Sequence, residues 1–132
     1  MSFKLDLQAF VDKFQANADL VVRKITIDCA NSMIQMAPVD TGRFRSNFNF
    51  AVGAPNTITS ESVDKDGSAT LTRITSQANQ TGAGQVTYIT NSLPYAEKLE
   101  IGSSRQAPAG YARITAIRFQ EFVNNAVAEV PK

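Results

Sequence analysis

Only a few residues in this chain have types and spacings that could support catalysis, and none of these groups is complete. Histidine, the usual general base and the commonest zinc ligand, is absent from all 132 residues. Glu97 and Glu100 lie three residues apart and could pair as carboxylates on one helical turn, but a solvated helix face is the simpler explanation. Asp64 and Asp66 lack the remaining ligand positions of a calcium loop.

Two glycine-containing stretches and the single cysteine are equally incomplete. The Gly-Ala-Gly stretch at residues 82–84 precedes a predicted strand, whereas a phosphate-binding loop opens a helix after one. The Gly-Ser-Ser stretch at residues 102–104 does not complete a nucleophile elbow, and no histidine is present to activate a serine. Cys29 falls on the apolar face of a predicted helix, where a cysteine behaves as a small buried hydrophobe. The sequence therefore predicts no catalytic, cofactor-binding or metal site, and a protein that is not an enzyme.

The composition is that of a globular chain without a strong charge. A hydrophobic fraction of 43% is typical of a folded protein, and the length suits a single domain over residues 1–132. The net charge of +1 is no electrostatic footprint for nucleic acid or an anionic membrane. A lone cysteine suits a reducing compartment, and no stretch reaches the length of a membrane span. We expect a protein without a membrane partner that is assembled in the cytoplasm.

The first third of the chain carries one long helical pattern. With Asp6 as its N-cap, apolar residues recur at intervals near 3.6 over about eight turns, until Pro38 ends the helix. They are Leu7, Phe10, Phe14, Ala18, Val21, Ile25, Cys29 and Met36. In so small a domain the first half of the helix either projects toward a neighbouring subunit, or caps the core with Phe10 and Phe14.

A predicted short helix and sheet follow. Asp40 can cap a short helix beginning at Thr41, in which Phe44 faces inward between Arg43 and Arg45. Residues 47–52 alternate as a half-buried strand does, and residues 86–91 are rich in β-branched and aromatic side chains. We expect these two strands to pair antiparallel. Residues 57–63 are either a short strand or an ordered loop.

The remaining elements are helical. Residues 69–79 have Leu71, Ile74 and Ala78 at helical spacing, with Asp66 or Ser68 as the cap. Pro94 suits the first turn of a short helix that Gly102 ends. Residues 111–130 predict a C-terminal helix, but Ile114 and Ile117 lie off its apolar face. Either they form a second apolar face for a partner, or residues 111–117 are extended. The whole predicts an α+β domain in which long N-terminal and C-terminal helices pack on a small, mainly antiparallel sheet.

Two blocks of this sequence resemble the neck and tail-completion proteins of long-tailed bacteriophages. The first is A-P-V-D-T-G-R at residues 37–43, after a long N-terminal helix. The second is I-T-N-S-L-P-Y-A-E-K-L-E-I-G-S-S-R-Q-A-P-A-G at residues 89–110, where a strand leads to Pro-Tyr-Ala, then a Glu-x-Gly and a loop before the last helix. By matching motif positions, the resemblance implies that seven residues hold the corners of the fold: Pro38, Asp40, Thr41, Gly42, Tyr95, Glu100 and Gly102. We further expect residues 40–42 to pack against the turn at 95–102.

The resemblance also implies a function. Such proteins are virion components without catalytic residues that form a ring, usually sixfold, around the DNA channel at the head–tail joint. Partners of this kind of protein are copies of itself, the connector or head-closure proteins and the tail proteins, with non-specific contact to the channel DNA. A heterologous ring contact needs two different apolar faces, and the first half of the N-terminal helix and the Ile114/Ile117 face are the candidates.

The loop at residues 103–109 is the remaining candidate for a partner contact. Its small side chains and Pro108 suit insertion into a neighbour, with Arg105 as a charged anchor, although an ordinary surface loop has the same composition. The full set of candidate interface residues is Phe10, Phe14, Ser103, Ser104, Arg105, Gln106, Ile114 and Ile117. The alternative function is a small nucleic-acid-binding or regulatory module that uses Arg43, Arg45, Arg105, Arg113 and Arg118.

Overall fold

The computed structural model describes residues 3–102, 106 and 110–130, with side chains from residue 12 onward. Its elements in chain order are α1 (Phe3–Met36), α2 (Arg43–Ser46), β1 (Phe48–Val52), α3 (Ser68–Ala78), β2 (Thr87–Asn91), α4 (Ala96–Glu100), α5 (Ala112–Ile117) and α6 (Phe119–Ala128). The predicted α+β class is confirmed: a long N-terminal helix and C-terminal helical segments accompany a small antiparallel sheet.

Helix α1 ends where the sequence predicted, but it begins earlier. Its last residue is Met36, directly before Ala37 and Pro38. Asp6 was predicted as the N-cap, yet the helix starts at Phe3, so Asp6 lies inside its first turns. Preference for a cap position is weaker than the tendency of the surrounding residues to continue a helix, and for this reason the predicted start was wrong.

The two strands pair as expected. Strands β1 and β2 are antiparallel, with Phe50 opposite Ile89. Phe48 and Phe50 are buried on the face that packs on the helices. Residues 57–63 form no strand, so the ordered-loop alternative is the correct one for that segment.

The core lies between the second half of α1, helix α3 and the sheet. Ala30 and Ile34 of α1 are fully buried, as are Ile74 and Ala78 of α3, whose four-residue spacing places them on one face. Phe48 of β1 completes this centre. The predicted helix at 69–79 is thus confirmed to within a residue at each end.

The connection before β1 differs in detail from the prediction. Helix α2 begins at Arg43, not Thr41, and Gly42 is its N-cap with a left-handed backbone at φ 93°. The Asp40 side chain makes no cap hydrogen bond; instead the Thr41 hydroxyl accepts one from the Arg43 N–H at 3.2 Å. Asp40 is two residues too early to reach the amide groups of a helix that starts at Arg43, so its predicted capping role is wrong.

Two aspartates stabilise the start of helix α3. The Asp66 carboxylate accepts a hydrogen bond from the Ser68 N–H at 2.9 Å, and the Asp64 carboxylate accepts one from the Thr70 N–H at 2.8 Å. The backbone and side-chain hydrogen bonds from Ser68 hold the pKa of Asp66 below its ordinary value. These carboxylates therefore satisfy backbone amides that the first turn of a helix leaves unpaired.

The C-terminal segment is two helices where the pattern predicted one. Helix α5 ends at Ile117, Arg118 has φ −81° and ψ −2°, and helix α6 starts at Phe119. Residues 112–117 are helical, so the extended alternative for this stretch is wrong. Thr115 of α5 is buried and shares a 2.7 Å hydrogen bond with Ser32 of α1, whereas α6 packs through Phe122 and Ala126. The buried residues Thr115, Phe122 and Ala126 are separated by seven and four residues, so α5 and α6 bury the same face on either side of Arg118.

Candidate interaction surfaces

The two motif blocks line one surface depression of about 440 Å³. Residues 38–43 of the first block and the adjoining Phe44 line it together with Tyr95, Leu99 and Gln106 of the second block. The Phe44 and Tyr95 rings lie 5.8 Å apart between centroids, so an aromatic contact joins the blocks. The 40–42 stretch and Tyr95 thus share a surface.

Gly42 itself contacts a different segment. Its carbonyl accepts a hydrogen bond from the Asp64 N–H at 3.0 Å. A Cβ added at this position would lie only 2.6 Å from the backbone nitrogen of Lys65. Gly42 thus lines the depression together with Tyr95 and Leu99, but the close approach that requires a glycine at this position is to the loop before α3.

Glu100 is a helix cap supplied from a distant element. Its carboxylate accepts hydrogen bonds from the N–H groups of Tyr111, Ala112 and Arg113 at 3.1, 2.7 and 2.9 Å, at the start of α5. Burial raises the pKa of Glu100, but hydrogen bonds from these amides and the Arg113 side chain outweigh it and hold the pKa below its ordinary value. Glu100 therefore joins α4 to α5.

Gly110 permits this arrangement. Its φ of +87° is in the left-handed region, and a Cβ there would collide with the backbone oxygen and the carboxylate of Glu100. In the sequence, Gly110 was only the last residue of the second motif block. The partner that makes a glycine necessary at this position belongs to a different helix, and spacing alone could not reveal it.

Tyr111 is buried between α4 and the start of α5, and it was not among the candidate residues of the sequence. Its ring packs edge-on against Phe44 and Phe48, with centroids 5.3 and 5.7 Å apart. Its hydroxyl donates to the Ala96 carbonyl at 3.0 Å. Burial, with the charge of Glu100, raises the pKa of Tyr111 to about 12. The only sequence signal for this role of Tyr111 was its position as an aromatic residue directly after Gly110, at the end of a loop.

The other predicted corner residues have ordinary structural places. Pro38 is buried just after the end of α1. Helix α4 begins at Ala96, two residues after Pro94 and with Tyr95 as its N-cap. Gly102 follows α4 with φ +93°, and its N–H bonds to the Leu99 carbonyl at 3.3 Å. Gly102 thus ends the helix as the sequence predicted.

The candidate interface loop is represented by one described residue. Ser103, Ser104 and Arg105 lie outside the described residues, and so does the stretch 107–109. Gln106 uses its side-chain amide on its own chain: it accepts from the Val39 N–H at 2.7 Å and donates to the Val39 carbonyl at 2.8 Å. This pair of bonds ties the second motif block to the first, whereas the sequence suggested a contact with a partner.

The first half of α1 carries an exposed apolar surface. The Phe14 side chain is 67% exposed, and it lines a groove of about 440 Å³ between α1 and the end of the chain. The groove is otherwise formed by Asn17, Ala18, Val21, Val22, Val127 and Val130. The side chain of Phe10 lies outside the described part. Of the two alternatives for Phe14, exposure rather than capping of the core is the one observed; the sequence did not identify Val127 and Val130 as its neighbours.

A second apolar groove, of about 560 Å³, lies between α1, β2 and α5. Ile25, Cys29 and Met33 line it from α1, and it has no residue in common with the Phe14 groove. Burial, with the nearby Asp28 charge, raises the pKa of the Cys29 thiol above its ordinary value, which disfavours the reactive thiolate. Ile114 is half-buried, while Ile117 at the end of α5 is 77% exposed.

Four of the five arginines of the nucleic-acid alternative have partners within the chain. Arg43 forms an ion pair with Glu61 at 3.1 Å, and Arg45 donates to the carbonyls of Gln35 and Lys65. Arg113 pairs with Glu100, and Arg118 pairs with Glu121 and lies over the Phe122 ring. The fifth, Arg105, lies outside the described residues. Guanidinium groups held in this way are not arranged as a free row for phosphates.

Neither a metal cluster nor a membrane span is found in the described part of the chain. Within residues 3–102, 106 and 110–130, no three His, Cys, Asp or Glu side chains are grouped to hold a metal ion. Among the helices described there, including the 34-residue α1, none combines enough length with enough apolar character to cross a membrane.

Comparison with known proteins gave no match, whether to protein-family models, to curated proteins or to solved structures.

Proposed function

We propose that this chain is a structural virion protein of the head–tail junction of a long-tailed bacteriophage, where copies of it form a ring around the DNA channel. The observation that carries the proposal is the pair of apolar grooves, one beside Phe14 and one beside Cys29 and Met33, which share no residue. A ring closes through a heterologous contact, and such a contact needs two different surfaces on each subunit. Each of the two grooves offers an apolar surface to a neighbouring copy, so the chain has separate surfaces for contacts of this kind.

The arrangement of the two motif blocks supports the same proposal. They lie far apart in the sequence, yet the Phe44–Tyr95 ring contact and the Gln106–Val39 hydrogen bonds join them. A family motif split over two distant blocks is understandable when the blocks form one structural unit. The nucleic-acid alternative receives less support, because Arg43, Arg45 and Arg113 bond to groups within the chain.

Deletion of the gene, in the cells that carry it, tests the proposal. We expect particle preparations to contain filled heads and separate tails that are not joined, seen by electron microscopy, and normal particles when the gene is supplied again. Mass spectrometry of purified normal particles should find the chain as a component in a few copies. Joined, infectious particles from the deleted strain would refute the proposal, and so would absence of the chain from purified virions.

A further inference from the structure

The segment at residues 57–63 forms no backbone ladder, yet its alternate residues are hydrogen-bonded to side chains on one side, as along the edge of a strand. Side-chain groups bind its even-numbered residues: the Asn49 amide donates to the Ile58 carbonyl at 2.8 Å, and the Asn47 amide bonds both the N–H and the carbonyl of Ser60, at 2.8 and 3.0 Å. The Ser46 hydroxyl donates to the Ser62 carbonyl. Alternate residues of an extended chain direct their peptide groups to the same side, so this segment is held along one side only.

The backbone groups of the odd-numbered residues in the same segment have no partner among the described residues. In the described part of the chain, no group bonds to the backbone N–H or carbonyl of Thr57, Thr59, Glu61 or Val63. Every residue from 57 to 63 is exposed, including Ile58 at 70% and Val63 at 61%. Before the bend at Glu61, the segment therefore presents free peptide groups at Thr57 and Thr59, with the two-residue period of a strand edge.

Strand β2 presents a second row. The Gly53 N–H bonds to the Val86 carbonyl at 2.8 Å, in the same register that places Phe50 opposite Ile89. Because hydrogen-bonded pairs alternate in an antiparallel ladder, Tyr88 and Thr90 bond to β1, while Thr87, Ile89 and Asn91 direct their peptide groups away from it. No described residue bonds to the backbone of those three.

The outer edge of β2 also borders the larger apolar groove. Thr87 and Ile89 line that groove, together with Met33 of α1 and the half-exposed Phe119. An extended segment that pairs with this edge would satisfy its peptide groups and place side chains on an apolar surface, which is the mode of binding called strand addition.

We propose that the outer edge of β2 in one copy of this chain pairs with the segment at residues 57–63 of a neighbouring copy. The occupant is a second copy because the same chain carries both rows of free peptide groups, at matching spacing and on non-overlapping segments. The contact is heterologous, so it generates a ring or a filament and not a two-fold dimer. This inference rests on the proposed function for the ring, but it concerns the contact, which can be tested in the purified protein.

Cross-linking of cysteine variants tests which segments meet. In a Cys29→Ala background, Thr59→Cys and Thr87→Cys are prepared separately and together, and are treated with a short bismaleimide at concentrations where the chain associates. We expect the double variant to give a ladder of covalent dimers, trimers and larger species. A mixture of the two single variants should stop at the dimer, and each single variant alone, like a Gln120→Cys control, should remain monomeric.

Two outcomes of this experiment would overturn the inference. Dimers from Thr87→Cys alone would show two-fold pairing of β2 with itself. Association without cross-links between positions 59 and 87 would show that another surface forms the contact; the proposed function could then still hold if the chain is found in virions. If the double variant gives the ladder of cross-linked species but the chain is absent from virions, the contact is supported and the proposed function is refuted.

A proline variant tests the role of the backbone. The Thr59 N–H has no partner among the described residues, so Thr59→Pro removes a donor from the free row without breaking a hydrogen bond of the monomer. We expect self-association to weaken by about tenfold with Thr59→Pro and by less than about threefold with Thr59→Ala, measured by sedimentation, because one interchain hydrogen bond is lost only in the first. Equal association by both variants would contradict the inference, as would a wild-type chain that stays monomeric at about 1 mM.

Discussion

The two ends of helix α1 differ in how the rest of the chain holds them. At the C-terminal end, Ala30 and Ile34 are fully buried, and Arg45 donates to the carbonyls of Gln35 and Ala37 at 3.0 and 3.2 Å. At the other end, residues 12–16 are all exposed, and the Phe14 ring is 67% exposed. The boundary lies near Asp19 and Arg23, which bond to the Ala83 N–H and the Thr81 carbonyl in the loop before β2.

This difference separates folding from assembly within one helix. The apolar residues of α1 continue at the same spacing through both halves, yet among the described side chains Phe14 is largely exposed, whereas Ala30 and Ile34 are buried in the core. Where a stripe of this kind continues beyond its intramolecular partners, the remainder is available to another molecule. We therefore expect substitutions near Ile34, or in the contact of Glu100 with Gly110, to change the stability of the chain. Substitutions near Phe14 should instead change its self-association.

The largest effect is expected at Ile34. Its side chain is fully buried against the backbone near Gly67, so Ile34→Ala removes packing and leaves a cavity. We expect a loss of about 3–4 kcal/mol in the free energy of unfolding, measured with urea. Leu20→Ala, at a 48% exposed position of the same helix, is the matched control and should cost less than about 1 kcal/mol. Similar losses for both variants would remove the distinction between the two ends.

Gly110 is expected to come next. Gly110→Ala places a Cβ against Glu100 and retains a left-handed backbone, whereas Gly84→Ala has a similar φ of +89° with nothing within 4 Å of the added carbon. We expect Gly84→Ala to cost about 1 kcal/mol from backbone strain alone, and Gly110→Ala about 3 kcal/mol. The same urea measurement on both chains isolates the contact with Glu100. If the two variants were equally stable, the close contact between Gly110 and Glu100 would not contribute to stability.

Glu100 gives a smaller effect with a characteristic pH dependence. Glu100→Gln removes the charge that three amides and Arg113 bind, and it should cost about 2 kcal/mol at pH 7, whereas the exposed Glu97→Gln should cost little. Because the pKa of Glu100 is lowered in the folded state, its contribution is fully present above the pKa of the unfolded chain and is lost as the pH falls through the folded value.

The pH profile of unfolding checks this assignment. The stability difference between the wild-type chain and Glu100→Gln should begin to shrink below about pH 4, because the carboxyl is protonated first in the unfolded chain and, at lower pH, also in the folded chain. A difference that stays constant down to about pH 2 would mean that the carboxylate charge does not stabilise the start of α5.

The smallest effect on stability is expected at the projecting end. Phe14→Glu alters an exposed side chain and should change the free energy of unfolding by less than about 0.5 kcal/mol. The same variant should weaken self-association by at least about tenfold, because a charge would enter an apolar contact. Ala16→Glu adds the same charge at an exposed position outside the groove and is the control. Loss of stability in Phe14→Glu, without loss of association, would place Phe14 in the fold.

The local elements of this protein follow from its sequence. The end of α1 before Pro38, the helix near 69–79 and the two antiparallel strands are all set by neighbouring residues, through period, breakers and β-branched side chains. The α+β class follows from these elements. The same local signals misplaced the caps at Asp6 and Asp40, where a suitable residue type was present but the helix began elsewhere.

Tertiary structure decided what those elements do. Glu100 caps α5 from a separate helix, Arg45 binds the end of α1, and Asn47 and Asn49 hold the segment at 57–63. Periodicity reports which face of an element is apolar, but not whether the partner of that face lies in the same chain. For α1 the sequence determined a single continuous stripe, and only packing divided it into a buried end and an exposed one.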